Sequence, residues 1–336
     1  MKVRRDHCRR TDPTMRLLPI LFAVFSVLPA FGEVAPGEAP AGEAPGRRVV
    51  ITIDDLPIAG VSDDLRAAKG VTEAICKALQ RHGAPASGFV TGRHVMVPGE
   101  VDARLGLLRQ YRDCGVELEN HGYSHRSFHD MDFLEYLDDA VEGGLFPGLL
   151  MREIGKATRF YRHPFNHAGR TADDRQGFDD FLSLRGLQLA PFTVEHADYL
   201  FDRVYRNAEK TGDAAAMAKI RQAYLDQLDL AFDFAETLSR DTFGREIPQI
   251  FLLHSNRINA LELGHTLDRL AARGYRFISL SEALEDPAYS TANAYSGTAG
   301  INWLHRFRVG LGKENRLRDE PDPPQWMMDA YRALTP

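Results

Sequence analysis

The sequence predicts an α/β protein whose parallel sheet has helices on its outside and is either open or closed into a barrel. Short apolar segments typical of strands alternate along the chain with longer segments in which apolar residues recur at helical spacing. This alternation is typical of parallel sheets, because consecutive parallel strands are joined by a crossover that is usually a helix. In addition, five of the predicted strands end in Asp, His or Arg side chains.

The individual elements follow from residue type and period. The predicted strands are 49–53, 86–90, 116–120, 158–161, 187–194, 249–253 and 277–280. Helices are predicted where apolar residues recur every three or four positions. They are 64–82, 101–114, 132–154, 173–184, 214–238 and 260–273. We expect Gly115 to end the second helix, and Gly143-Gly144 with Pro147 to interrupt the third.

Composition and charge are those of a soluble globular protein. The chain has 336 residues, of which 44% are hydrophobic and 26% charged, and its formal net charge is −6. A net negative charge gives no reason to expect nucleic acid or an anionic membrane as a partner.

Residues 1–32 have the pattern of a secretory signal peptide. Five arginines precede an apolar run at 17–31, and Ala30-Phe31-Gly32 places small residues where a signal peptidase cleaves. We therefore expect cleavage near Gly32 and a periplasmic or secreted protein with no stable membrane anchor afterwards. The start of the chain is Met1 or Met15, since the signal also begins cleanly at the second of these.

One folded domain is predicted, with less regular segments on both sides. Residues 33–46 are expected to form a flexible Pro/Ala/Gly linker, and 47–285 the domain. Residues 286–336 are expected to pack on the domain, with a charged, Pro-rich end that is partly disordered. Trp303 in this extension is expected to be packed; the alternative is an exposed position in a substrate groove.

Two cysteines remain after the signal, since Cys8 would be removed with it. Cys76 and Cys114 lie in or beside predicted helices, in a compartment that permits disulfides. A bridge between them stays open, but two separate core thiols are the favoured expectation because free cysteines are commonly buried.

Two adjacent carboxylates, Asp54 and Asp55, end the first strand. Neighbouring side chains on a strand point to opposite faces, so one could bind a metal while the other faces the substrate. The alternative is that this Asp-Asp-Leu-Pro sequence only leads out of the strand through a turn or a helix cap.

A histidine pair, His121 and His125, follows the third strand with a spacing of four. Such a pair can share one face of a helical turn and bind one metal ion. Two imidazoles and one strand-end carboxylate make a three-ligand set with room for water, which is the composition of a catalytic zinc site. Two surface histidines are the alternative, and His129 is expected to face solvent.

Three later strands also lead to candidate site residues. Arg162 follows the fourth strand and could pair with a strand-end carboxylate, the alternative being an ordinary surface arginine. Glu195 and Asp198 follow the fifth strand. Leu252 and His254 end the sixth strand on one face, so an apolar contact and a proton carrier would line one wall; a core histidine is the alternative.

As a set, these segments resemble the polysaccharide deacetylases of the NodB-homology type, carbohydrate esterase family 4. The five ordered motifs of that family have as counterparts Thr52-Ile53-Asp54-Asp55-Leu56-Pro57, His121-Gly122-Tyr123-Ser124-His125, Arg162-His163-Pro164-Phe165, Glu195-His196-Ala197-Asp198-Tyr199 and Leu252-Leu253-His254. The resemblance spans about 47–284 and implies a distorted (β/α) barrel of about seven parallel strands. Leu56, Glu195 and Tyr199 depart from the family's Gly, Asp and Trp, which bears on the substrate more than on activity.

The resemblance implies a metal site and a base. Asp55, His121 and His125 would bind a divalent metal, with zinc as the first expectation and Co²⁺, Ni²⁺ or Mn²⁺ as alternatives. Asp54 would be the general base toward the attacking water, and Arg162 would hold it ionised and oriented.

The resemblance also implies an acid and substrate contacts. His254 would be the general acid for the leaving group, oriented by Asp198. The backbone N–H of Phe165 would help to stabilise the oxyanion, Leu252 would contact the acetate methyl group, and Tyr199 would offer an aromatic surface to a sugar.

The implied function is exported, metal-dependent removal of acetyl groups from a polysaccharide or oligosaccharide. N-acetylglucosamine units, in a chitin-like polymer or in peptidoglycan, are the first expectation. The alternatives are an O-acetyl esterase of the acetylxylan type, a small-amide hydrolase of the same fold, and a non-catalytic glycan-binding protein. A serine hydrolase is set aside, because the sequence around Ser124 lacks the second Gly of a nucleophile elbow; we expect Ser124 to hydrogen-bond within its loop.

Overall fold

The structure, a computed structural model, describes residues 46–59 and 64–334. The predicted signal peptide 1–32, its two possible starts and all of the predicted linker except Gly46 lie outside the described residues.

Seven parallel strands form one sheet in the described part of the chain. They are β1 Arg48–Leu56, β2 Ala86–Val90, β3 Val116–Asn120, β4 Phe160–Tyr161, β5 Gln188–Leu189, β6 Gln249–His254 and β7 Arg276–Phe277. Their order is β5-β4-β3-β2-β1-β6, with β7 paired to the start of β1.

The two edges of this sheet are joined by the segment that follows β5. The N–H of Thr193 donates to the carbonyl of Ile250 at 2.9 Å, and Val194 forms a parallel bridge with Phe251 in β6. The sheet therefore curls into a distorted barrel, and the predicted fold class is confirmed.

The central strand β1 sets the position of the candidate site. It is buried along its whole length after Arg48, and it is flanked by β2 on one side and β6 on the other. A run of β-branched residues suits a strand that is buried on both faces. The pairing register places Asp54 directly beside His254, so two strand ends bring their polar residues together.

Twelve α-helices lie in the described residues. They are α1 Leu65–His82, α2 Gly92–Val95, α3 Val101–Asp113, α4 Phe133–Gly143, α5 Leu145–Arg152, α6 Ala172–Leu184, α7 Asp198–Thr211, α8 Ala214–Phe243, α9 Arg257–Ala272, α10 Leu280–Leu284, α11 Trp303–Gly310 and α12 Gln325–Ala333. Among the described residues, none of the helices combines the length and the apolar composition needed to cross a membrane.

Three predicted strands are shorter in the structure. Of 158–161 only Phe160 and Tyr161 form a strand. Of 187–194 only β5 is a strand, together with the single bridge at Val194. Of 277–280 only Phe277 lies in a strand, because the Ser279 side chain accepts a hydrogen bond from the Glu282 N–H and caps α10.

Helix α7 was not predicted. Its buried residues, which include Leu200, Val204 and Tyr205, recur at helical spacing, so the periodic signal was present in the sequence. Its first residue is Asp198, so this helix positions one of the candidate site residues.

The expectation of two separate thiols is wrong, because Cys76 and Cys114 form a disulfide. Helix α1 packs against α3, which brings the two Cα atoms to 5.7 Å, a separation that a disulfide spans. The bond therefore links α1 to the end of α3.

The C-terminal extension is ordered helix over much of its length. In α11 the side chains of Trp303 and Phe307 are buried. The charged end of the chain was expected to be partly disordered, but it contains α12, whose Met327 is fully buried against α7 and α8. Trp326, Met328, Ala330 and Tyr331 of the same helix pack on this cluster as partly buried side chains, so an apolar face docks α12.

Candidate active site

Asp54 and Asp55 face the same cavity, and not opposite sides of the sheet as strict alternation predicts. The pairing register of β1 shifts between Ile53 and Leu56, and Asp55 has a positive φ of 63°. This left-handed conformation breaks the alternation of the strand and turns the second carboxylate toward the first. Both carboxylates are consequently available to one site.

Three side chains at the cavity form a triad that could ligate a metal ion: Asp55, His121 and His125. The carboxylate Oδ1 of Asp55 lies 3.2 Å from Nε2 of His125 and 3.8 Å from Nε2 of His121. One ligand atom from each residue lies within 4.8 Å of the others. One carboxylate oxygen and two imidazole nitrogens suit zinc and related divalent cations, so the residues present fit such a group.

The surroundings of His121 and Asp55 favour the protonation states that metal binding needs. Nδ1 of His121 lies 2.9 Å from the carbonyl oxygen of Arg162 and donates its proton there, which leaves Nε2 as the free base. Burial lowers the pKa of His121 to about 4, so the ring is neutral at pH 7. Burial would raise the pKa of Asp55, but the charges of His125 and His121 outweigh it and hold that pKa below its usual range.

A buried ion pair fixes Asp54. Nη1 of Arg162 donates to Oδ1 of Asp54 at 2.8 Å and also to Oγ1 of Thr52 at 2.8 Å. The guanidinium stacks on the ring of Phe89, with 4.2 Å between its Cζ and the ring centroid. The second oxygen of Asp54, Oδ2, lies 3.6 Å from Nε2 of His121, so it is directed at the triad.

A second ion pair lies at the end of β6. Oδ1 of Asp198 accepts a hydrogen bond from Nδ1 of His254 at 2.7 Å, and Oδ2 accepts from the backbone N–H of His254 at 2.8 Å. Burial opposes a charged imidazole, but the Asp198 carboxylate outweighs it and raises the pKa of His254 to about 10. His254 is therefore protonated on both nitrogens at neutral pH.

Asp54, Arg162, His254 and the three residues of the triad line one cavity of about 530 Å³. Asp198 lies behind His254. The other predicted substrate contacts are also on its wall: Leu252 is nearly buried, whereas the side chains of Phe165 and Tyr199 are about half exposed. A larger cavity of about 690 Å³ lies beside α6, so the chemistry of the walls, and not size, locates the site.

Residues 41–172 match the family model described as polysaccharide deacetylase. The match covers 132 of the 336 residues, so this segment is similar to that family. The resemblance drawn from the motifs is thereby confirmed, and the matched segment contains the triad, Asp54 and Arg162. Asp198 and His254 lie beyond it; the fold brings His254 to the same cavity, with Asp198 hydrogen-bonded behind it.

Solved structures of the carbohydrate esterase 4 family are similar in fold. A family 4 carbohydrate esterase from Streptomyces lividans, in complex with acetate, has 19% identity; the alignment covers 70% of this chain and 95% of that one, with a TM-score of 0.43. The peptidoglycan deacetylase PdaC from Bacillus subtilis has 17% identity, with 72% and 91% covered and a TM-score of 0.44. A pseudoenzyme of the same family from Bacillus anthracis has 16% identity, with 72% and 66% covered and a TM-score of 0.46. No curated protein sequence matches this chain.

Several residues of the cavity were not predicted from the sequence. The side chain of Asn256 donates a hydrogen bond to Asp198 and also caps α9. Because Asn256 lies shortly before a predicted helix, its role as a cap could have been recognised from the sequence. Gly300 and Tyr331 line the cavity from the C-terminal extension. They lie far beyond the last motif, so no local pattern indicates them.

The burial of His129 and Trp303 decides whether each side chain faces solvent, as was expected for His129, or is packed, as was expected for Trp303. His129 was expected to face solvent but is buried, and its ring stacks on that of His167 at 4.3 Å. Trp303 is buried, and its indole N–H donates to Oδ1 of Asn166 at 3.1 Å. The expectation that Trp303 is packed is therefore confirmed, and it is not exposed for stacking on a sugar. The N–H of Arg126 donates to the Ser124 hydroxyl, as expected for a bond within that loop.

Proposed function

We propose that this protein is an exported, metal-dependent hydrolase that removes acetyl groups from N-acetylglucosamine units of a polysaccharide or oligosaccharide. The observation that carries the proposal is that three sets of side chains meet at one cavity. These are the triad, the Asp54–Arg162 pair and the Asp198–His254 pair. A fixed base on one side and a proton donor on the other are what amide hydrolysis requires.

Asp55, His121 and His125 would hold a divalent cation, with zinc as our first choice. When bound, such a cation would lower the pKa of a water from about 15.7 toward about 7 and polarise the substrate carbonyl. The neutral state of His121 and the ionised state of Asp55 suit this binding without a proton having to leave first.

Asp54 would accept the proton of the attacking water. The ion pair with Arg162 engages its Oδ1 and leaves Oδ2 toward the triad, so the acceptor oxygen is held in one orientation. Because both partners are buried, the pair also keeps Asp54 from rotating away from the cavity.

His254 would donate a proton to the leaving amine. Its Nδ1–H is engaged by Asp198, so Nε2–H is the proton that can be given up toward the cavity. This proton is essential for an amide substrate, because an amine leaves only after protonation. A protonated group at this place on the cavity wall therefore favours an N-acetyl over an O-acetyl substrate.

Phe165 would supply its backbone N–H to the developing oxyanion. It has a left-handed backbone (φ 56°) at the cavity wall, and its ring centroid lies 4.7 Å from that of His125. One such donor is typically worth about 3 to 4 kcal/mol of transition-state stabilisation. Leu252 would contact the acetate methyl group, and Tyr199 would contact a sugar.

Export is part of the proposal. The disulfide between Cys76 and Cys114 supports it, because disulfides persist in oxidising compartments such as the periplasm. A fusion of residues 1–46 to an alkaline phosphatase that is active only outside the cytoplasm tests it: active phosphatase is expected, and an inactive fusion that accumulates in the cytoplasm would contradict export.

Acetate release from purified protein tests the reaction. The panel is N-acetylglucosamine oligomers, peptidoglycan, acetylated xylan and a small cyclic amide, each assayed with and without a chelator and re-added zinc. Chelator-sensitive release from an N-acetylglucosamine substrate is expected. Release from xylan alone, or ring opening of the small amide alone, would replace the proposed substrate, and stoichiometric glycan binding without any turnover would identify a glycan-binding protein.

A further inference from the structure

Two consecutive residues at the cavity, Phe165 and Asn166, have left-handed backbone conformations, with φ of 56° and 54°. Residues other than glycine adopt this backbone conformation rarely and at an energetic cost, so the surrounding structure has to hold it in place. We call these two residues the wall loop. Its conformation decides where the N–H of Phe165 points.

The wall loop is held by residues 300–306 of the C-terminal extension, which we call the clamp. The indole N–H of Trp303 donates to Oδ1 of Asn166 at 3.1 Å, and Nδ2 of Asn166 donates to the carbonyl oxygen of Ile301. Nη2 of Arg306 donates to the backbone carbonyl oxygen of Asn166 at 2.7 Å. Both ends of the Asn166 side chain and its backbone oxygen are therefore bound by one short segment.

The clamp is itself rigid. Nε of Arg306 donates to the carbonyl oxygen of Ile301 at 3.2 Å, and its guanidinium lies 5.5 Å from the centroid of the Trp303 ring. The backbone N–H of Trp303 donates to the carbonyl oxygen of Phe192, another residue of the cavity wall. Trp303 and Arg306 are both buried.

The clamp also touches Phe165 directly. A Cβ added to Gly300 would lie 1.8 Å from the carbonyl oxygen of Phe165, so only glycine fits at this position. Gly300 lines the same cavity as the triad. The backbone of the clamp is consequently in van der Waals contact with Phe165, whose N–H has the proposed oxyanion role.

We propose that Trp303 and Arg306 are positioning residues for the hydrolysis, acting through Asn166 on the N–H of Phe165. The assignment rests on the proposed function. Among the described residues, neither side chain hydrogen-bonds to the triad or to His254. Loss of the clamp should therefore impair the reaction and leave metal binding intact.

The test compares Trp303→Phe, Arg306→Met and Gly300→Ala with the wild type. We measure kcat, KM, bound zinc per chain and hydrogen–deuterium exchange of 163–167. Misplacing one oxyanion donor by about 1 Å typically costs about 10²-fold, so a fall in kcat of that size is expected, with KM and zinc stoichiometry unchanged and faster exchange in 163–167. Arg306→Lys, which keeps one donor for the carbonyl of Asn166, should recover part of the loss.

Gly310→Ala is the matched control. Its added Cβ would lie 1.9 Å from the carbonyl oxygen of Ala292, an equally tight contact within the same extension but away from the wall loop. We expect it to retain the kcat of the wild type. An equal loss in Gly310→Ala would show that any disturbance of the extension suffices and would overturn the assignment.

Other outcomes are equally decisive. Wild-type kcat and exchange in both Trp303→Phe and Arg306→Met would overturn the positioning role while the proposed function stands. Loss of bound zinc in these variants would overturn it as well, because the effect would then run through the triad. A wild-type protein that releases no acetate from any substrate overturns the proposed function and, with it, this assignment.

Discussion

Replacing Asp198 with asparagine should shift the pH dependence of the reaction, because Asp198 holds the proton on His254. The carboxylate accepts hydrogen bonds from Nδ1 and from the backbone N–H of His254 at 2.7 and 2.8 Å. Asparagine has nearly the same shape but no charge. The substitution therefore removes the electrostatic contribution and leaves most of the packing.

The magnitude follows from the two pKa values. That of His254 rises from 6.5 to about 10, whereas that of Asp198 falls from 3.8 to only about 2. The changes differ because Asp54 and Asp55 also stabilise the charged His254, so we take the smaller change as the worth of the pair itself. At about 1.4 kcal/mol per pKa unit, the pair is worth about 2 to 3 kcal/mol.

The assay is kcat/KM for acetate release between pH 6 and pH 10.5, since this parameter reports the free enzyme. If His254 is the acid, we expect the alkaline limb of Asp198→Asn to move down by about two pH units. Activity at pH 9 should then fall about tenfold more than activity at pH 6. Glu209→Gln, which removes a carboxylate from the exposed end of the same helix, should keep the wild-type profile. An alkaline limb at the same pH in Asp198→Asn and in the wild type would show that Asp198 does not hold the proton on the catalytic acid.

The remaining predictions concern the stability of the fold and the separate roles of His254 and the bound metal. The pKa of His254 is raised on folding, so its contribution to the free energy of unfolding is complete below about pH 6.5 and is lost as pH rises to about 10; urea titrations across this range should show the decline, and a flat profile would contradict it. Arg162→Met leaves Asp54 buried without its partner and should lower the free energy of unfolding by about 3 to 5 kcal/mol, measured by urea denaturation; a loss below about 1 kcal/mol would show that the pair is not needed. His254→Ala should cut kcat while bound zinc stays at one equivalent, and loss of the metal would remove the acid assignment. Cys76→Ser opens a covalent loop that spans 38 residues and should cost about 4 kcal/mol by the chain-entropy estimate; unchanged stability in non-reducing buffer would contradict a formed bridge.

The strands and the polar residues at their ends could be predicted from local sequence. β2 and β3 have the predicted bounds, and Asp54, His121 and His254 lie where parallel strands place them. The reason is physical: a buried parallel strand needs an apolar run, and polar residues directly after it are confined to one edge of the sheet. These features depend on neighbours in the chain, which a sequence displays.

Features that depend on distant parts of the chain could not be predicted in the same way. The left-handed backbone of Asp55 is set by packing around the end of β1, and the Cys76–Cys114 bond by how α1 meets α3. The contact of Trp303 with Asn166 joins residues 137 positions apart. Such pairings are decided by tertiary structure, and no periodicity in either segment encodes them.

The central claim is that acetate release depends on a divalent cation held by Asp55, His121 and His125. The most direct test is a zinc titration of the metal-free protein, in which bound zinc and kcat on an N-acetylglucosamine oligomer are recorded together. Activity should rise with bound zinc and saturate at one equivalent, and His125→Ala should neither bind zinc nor release acetate. Acetate release that persists in the metal-free protein, or a His125→Ala variant that behaves as the wild type, would contradict it.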